Sequence, residues 1–289
     1  MSTVSTTTVD NARDHVEDAV REAGPALKWL ARLGFVAKGF VYITVGVLAV
    51  QAAMGDGGST TDQRGALRTI LHQPFGRTML MIGGVGLLGF ALWRLIQSLL
   101  DPEHEHGTRP KEIFRRIGRF VSGVVYGGLG VAAWEMVLRG EHSGGGGGGE
   151  RTQDWTATLL RQPAGAWLLL AVGAIVLGVG AWHIYRAWKV KLGDKLMLDK
   201  WGARMRTWII RFGRIGYAAR GIIFCVIGAF MIVAARNHNP GEAKGVGGAL
   251  QHLASLSYGW VILGATALGL IAYGVFQLVE ARYRRIEVS

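Results

Sequence analysis

Six stretches of this sequence, roughly 35–54, 78–100, 119–138, 164–186, 216–235 and 258–279, are apolar for long enough to decide what the chain can become. Each is close to the ~20 residues a helix needs to cross a hydrocarbon core. Apart from Arg119 and Arg186 at their very ends, ionisable residues inside them are few, namely Lys38, Arg94, Glu135, His183 and Arg220, and nearly all sit within a turn or two of an end. A soluble helix bundle would carry a polar stripe at helical period along each stretch, and none does. In lipid the backbone must satisfy its own hydrogen bonds, so the stretches read as spanning helices. The first is too long for the apolar core of a signal peptide and ends without a small-residue cleavage site. The expected fold is an all-α polytopic membrane protein with six transmembrane helices.

Lys and Arg counts set the expected orientation. The N-terminal tail (1–28) and its approach to the first span hold four, the second loop five, the fourth loop nine and the C-terminal tail three. That makes 21 on one side against 8 on the other. Both termini are therefore expected in the cytoplasm, with the chain in the plasma (inner) membrane. The net charge of +12 sits largely beside the spans. Its expected partners are the bilayer and its anionic headgroups, not nucleic acid.

The odd-numbered spans repeat one pattern. Arg32-Leu33-Gly34, Arg116-Ile117-Gly118 and Arg214-Ile215-Gly216 open them, and four residues after each glycine comes Lys38, Ser122 or Arg220. Gly39, Gly123 or Gly221 follows, then Tyr42, Tyr126 or Phe224, then Gly46, Gly130 or Gly228. The even spans open at Gly76, Gly165 and Gly259, with Trp93, Trp182 and Phe276 seventeen residues on. Three copies at constant spacing are an internal repeat. Its units are read as 29–101, 112–191 and 207–283.

On this glycine–aromatic pattern and the late Trp of the even spans, the chain resembles bacterial membrane proteins grouped as domain of unknown function 1206. The resemblance covers about residues 29–285. It implies a two-helix unit used three times and a six-span protein, and it implies no particular activity.

Each unit has two spans, so all three enter from the same side and any pseudo-symmetry axis runs along the membrane normal. The expected architecture is three parallel two-helix repeats in an approximate pseudo-three-fold bundle. Gly39/Gly46, Gly123/Gly130 and Gly221/Gly228 lie seven apart, nearly one above the other on a helix. They are expected to form smooth grooves for close packing in lipid. Short amphipathic helices at the outer surface are expected over Ala66–His72, Trp155–Arg161 and Gly248–Leu256, the second capped by Asp154. Trp201, Met205, Trp208, Ile209 and Phe212 share a helical face and read as an inner interfacial basic helix. Residues 10–23 read as a short polar helix behind a disordered start.

Little in the chain suggests chemistry. His104-Glu105-His106, near Asp101 and Glu103, is a weak metal pattern in a solvated loop. Gly144–Gly149 lacks the Lys-Ser/Thr of a phosphate loop and reads as a linker. Cys225 has no base nearby in sequence, and membrane haem would need facing His pairs where only His183 is intramembrane. No catalytic residue, metal or cofactor is assigned, and the chain is not expected to be an enzyme.

The repeat register instead aligns polar residues into layers. Lys38, Ser122 and Arg220 form one, Arg94, His183 and Gln277 a second, and Gln97, Arg186 and Glu280 a third. Charges inside spans are costly and point to functional sites unless they snorkel to headgroups. The expected function is a structural or accessory membrane component packed through glycine grooves, which calls for a membrane-protein partner. The alternative is a small-solute or ion pathway along the pseudo-three-fold axis, and the choice turns on whether Lys38, Ser122 and Arg220 face that axis or lipid.

Overall fold

The computed structural model describes residues 24–55, 60–99, 109–140, 148–189, 196–197 and 202–284. The expected polar helix over 10–23, the His104–His106 loop and most of the Gly144–Gly149 run lie outside these residues. The described residues form nine α-helices, one short 3-10 turn and a single isolated bridge between Leu196 and Arg284. In chain order the helices are α1 (Gly24–Met54), α2 (Gln63–Leu71), α3 (Gly76–Leu99), α4 (Arg109–Arg139), α5 (Gly148–Leu160), α6 (Gly165–Lys189), α7 (Ala203–Arg236), α8 (Val246–Ala254) and α9 (Gly259–Tyr283). Six of them, α1, α3, α4, α6, α7 and α9, are long and apolar enough to cross a membrane. The protein is a multi-pass membrane protein.

The even spans begin at the three glycines that open them in the sequence. A Cβ at Gly76, Gly165 or Gly259 would collide with carbonyl groups at the end of the preceding short helix, at Ile70 and Leu71, Leu159 and Ala254 respectively. The turn from short helix to span is closed so tightly that only a residue without a side chain fits.

The odd spans run longer than their apolar windows. Helix α7 has 34 residues, about 51 Å at 1.5 Å per residue, and overshoots a ~30 Å hydrocarbon core. The interfacial basic helix expected from Trp201 to Phe212 is therefore not a separate element, because from Ala203 onward it is the first part of α7. Gly213 and Gly216, within this continuous helix, are buried against Phe276 and Tyr273 of α9. Met205, Trp208 and Phe212 remain about half exposed on the projecting turns.

Each even span packs on the odd span of the next repeat, cyclically: α3 on α4, α6 on α7, α9 on α1. The approach is close at equivalent positions. A Cβ on Gly39 would lie 2.9 Å from the carbonyl oxygen of Gly274, one on Gly123 3.2 Å from that of Ala91, and one on Gly221 2.8 Å from that of Gly180. Ala91, Gly180 and Gly274 all lie two residues before the late aromatic of their span. Seven residues on, Gly46, Gly130 and Gly228 meet Ile271, Leu88 and Leu177 in the same way.

Pairing within a repeat is uneven. Helices α1 and α3 pack together, as do α7 and α9, but α4 and α6 do not form a packed pair among the described residues. Gly34 abuts Phe90 and Gly216 abuts Tyr273, whereas the equivalent Gly118 has nothing within 4 Å of its would-be Cβ. The residue in the register of Phe90 and Tyr273 is Val179. The bundle is thus open on this flank. Only 33% of the most apolar stretch of α4 and 22% of that of α6 is buried, against 56% for α1 and α9.

Helices α2, α5 and α8 close one end. They touch the spans and one another, with Ala66 and Ala249 buried against the bundle and Trp155 of α5 70% exposed. Leu67, Thr156 and Leu250, equivalent in the repeat, are all buried. Asp62 caps α2 by accepting from the Gly65 amide at 2.9 Å, while Asp154 lies inside α5 and caps nothing.

Candidate functional site

The polar residues of the first layer sit sixteen residues from the far ends of their helices, Met54 and Arg236 for Lys38 and Arg220. That is about 24 Å along the helix, well below the cap formed by α2, α5 and α8. At this depth the orientation of each side chain decides what it can do.

Lys38 faces the inside of the bundle and is 5% exposed. Its Nζ lies 5.4 Å from the ring centre of Phe90 on α3, 5.2 Å from Tyr126 on α4 and 5.2 Å from Tyr273 on α9. Arg220 is half-buried, and its guanidinium lies 5.1 Å from Tyr42, 5.0 Å from Phe224 and 4.9 Å from Tyr273. One of its terminal N–H groups donates to the Tyr273 hydroxyl. Both cations thus converge on one ring, at most about 10 Å apart, where like charges repel by at least ~1.7 kcal/mol at an effective dielectric of ~20.

The rings lock together. Tyr42 meets Tyr273 edge-on at 4.9 Å, Phe90 meets Tyr126 at 5.1 Å, and Tyr217 meets Tyr273 at 5.3 Å. Each cation–ring contact offsets ~0.5–2 kcal/mol, so three apiece compensate much of the cost of burying an ion. Ring faces accept no conventional hydrogen bonds, however. Lys38 has no hydrogen bond or ion pair among the described residues, and the buried Arg220 Nε and Tyr126 hydroxyl also lack acceptors of sound geometry. Ser122, third member of the layer, is half-buried beside Gly123 and makes no hydrogen bond to either cation among the described residues.

The other two layers resolve into separate local pairs. Arg94 donates to Gln97 at 3.0 Å and lies 5.0 Å from the Phe90 ring. Gln277 donates to Glu280 at 2.7 Å, and Arg284 donates to the other Glu280 oxygen at 3.2 Å. His183 is bonded through Nδ1 to the Val179 carbonyl at 2.7 Å; a carbonyl only accepts, so Nδ1 carries the proton. Arg186 lies over Tyr217 at 4.6 Å. Beside Arg220, a cavity of about 10 Å³, room for roughly one water, is bounded by Tyr42, Phe224 and Gln63. Gln63 of the capping helix α2 reaches the Tyr42 hydroxyl at a long 3.4 Å.

Sequence reasoning named Lys38 and Arg220 but missed the cage around them. Tyr42, Tyr126 and Phe224 were visible as the aromatic of the repeat motif. Phe90 and Tyr273 share a register three residues before Trp93 and Phe276, a signal the repeat alignment contained. Arg284, the partner of Glu280, has no motif of its own. No group of three metal-ligating side chains occurs among the described residues.

A family model described as "Domain of Unknown Function (DUF1206)" matches residues 33–101, 117–190 and 215–284. A Bacillus subtilis (strain 168) protein named "Uncharacterized protein YxxB" is 35% identical over 266 residues, covering 92% of this chain and 94% of its own length. No solved structure matches.

Proposed function

We propose, for a chain that belongs to the DUF1206 family and carries its unit three times, that it forms a closed path for a small solute through its own bundle. The observation that carries this reading is the inward position of Lys38, 5% exposed among rings from three different spans. Ionisable groups in membrane interiors that face protein mark solute or ion paths by default. Polar groups continue on either side of it: Tyr42 and Gln63 toward the cap, Arg94, Gln97, Gln277 and Glu280 toward the opposite end. The cavity beside Arg220 holds about one water, so the arrangement is an occluded one.

The test is flux into proteoliposomes holding the purified full-length protein, followed by light scattering with potassium chloride, potassium gluconate and sorbitol as osmolytes. Selective entry of one osmolyte, lost in Lys38→Met, supports the path. Absence of entry of any of the three overturns it. An accessory role, with a second membrane protein seated on the open flank between α4 and α6, is the reading that would then stand, and the exposure of those two helices favours it.

A further inference from the structure

We infer that Lys38, Arg220 and Tyr126 together bind a small inorganic anion of about halide size in the middle of the bundle. The inference deepens the proposed path by naming its ligand class, and it rests on that reading only for where the anion goes, not for binding itself.

The donors at the centre outnumber the acceptors. Lys38 brings an ammonium with no acceptor among the described residues. Arg220 brings a buried Nε–H with no acceptor among the described residues, and Tyr126 a buried O–H that lies within reach of Tyr42 and Arg220 but is aligned with neither. Tyr126 lies beside Tyr42 and Arg220, and its ring is 5.2 Å from Lys38 Nζ, so the three donors approach one another. They come from α1, α4 and α7, the odd spans of the three repeats.

Most acceptors nearby are committed, the buried Gln277 Oε1 of the neighbouring layer being the exception. The Tyr273 oxygen takes an Arg220 N–H, and the Tyr42 oxygen takes Gln63. Glu280, the carboxylate of the neighbouring layer, holds Gln277 with one oxygen and Arg284 with the other. Two positive charges thus share a low-dielectric interior with donors left over and no carboxylate of their own. Such a centre is completed by an anion, which satisfies charge and hydrogen bonds together.

The rings restrict what can enter. Aromatic faces are negative and edges positive, so an anion is held at the N–H and O–H groups and along ring edges, away from the faces that hold the cations. The cavity of about 10 Å³ touches only the Arg220 end of the site, being lined by Tyr42, Gln63 and Phe224 and not by Lys38 or Tyr126, and that end suits a monatomic ion and not a tetrahedral oxyanion.

The experiment uses the purified full-length protein in detergent, exchanged into gluconate at fixed ionic strength, and follows thermal unfolding as chloride, bromide or inorganic phosphate replaces gluconate. Saturable stabilisation by chloride and bromide but not by phosphate is expected. Lys38→Met and Tyr126→Phe should each move the half-saturating halide concentration up by tenfold or more. Arg204→Gln, on the projecting basic turns, should leave it unchanged. Should Lys38→Met fail to fold, Tyr126→Phe, which removes one oxygen, decides the matter. No saturable halide effect, an equal effect in both variants, or stabilisation by phosphate alone overturns the inference. Halide binding without flux leaves it standing and removes the path. Flux without halide binding does the reverse.

Discussion

Gly39 and Gly274 face each other backbone to backbone: a Cβ on Gly39 would fall 2.9 Å from the carbonyl oxygen of Gly274, and one on Gly274 would fall 2.6 Å from that of Gly39. Between helices in lipid, where burial of apolar surface gives no net drive, such close approach lets dispersion and weak C–H···O contacts hold the pair. Gly39→Leu and Gly274→Leu should each cost about 1–3 kcal/mol by overpacking, read as a lower unfolding temperature in detergent. Gly128→Leu, where nothing lies within 4 Å, should melt like the parent. Equal melting of all three variants would mean the glycines do not limit this crossing.

The hydroxyl of Tyr273 is the acceptor for Arg220, while its ring serves both cations. Tyr273→Phe keeps the ring and removes the acceptor, so it should lower stability by about 1.5–3 kcal/mol, the range for hydrogen bonds to charged groups. Tyr273→Ala should cost more, since it also removes the packing on Tyr42 and Tyr217. Denaturation of the two variants side by side checks the order; a loss in Phe equal to that in Ala would assign the whole effect to the hydroxyl.

The open flank makes a spatial prediction. Single cysteines at Val124 and Gly178, in a Cys225→Ala background, should carry probes quenched by a lipid-soluble reagent. Probes at Val45 and Leu270, both 1% exposed, should be shielded. Shielding at Val124 and Gly178 in the native membrane, with quenching restored after purification, would reveal a partner on that flank.

Orientation can be read directly. Reporters fused after Gly57, Gly107, Gly147, Asp194, Asn239 and Ser289 should alternate between outer and cytoplasmic signals, ending cytoplasmic. Two successive reporters on one side would break the six-span order.

Six spans and a three-fold repeat were legible in the sequence because both are one-dimensional properties. A hydrocarbon core of fixed thickness demands apolar runs of fixed length, and repeated contacts leave residues at repeated spacing. The glycines at the start of the even spans could be read for the same reason, since a tight local turn leaves a local mark at Gly76, Gly165 and Gly259. The inward turn of Lys38 could not. A residue next to a packing glycine is rotated about 100° from it, toward the interior or toward lipid, and only the placement of Phe90, Tyr126 and Tyr273 on three other helices selects one. The continuity of α7 through Gly213 and Gly216 was likewise decided by α9, whose Phe276 and Tyr273 occupy the space a side chain would need. The opening between α4 and α6 shows only in three dimensions, where Gly118 lacks the close neighbour that Phe90 gives Gly34 and Tyr273 gives Gly216. Span length is set along the chain; the direction of each charge is set across it, by neighbours far away in sequence.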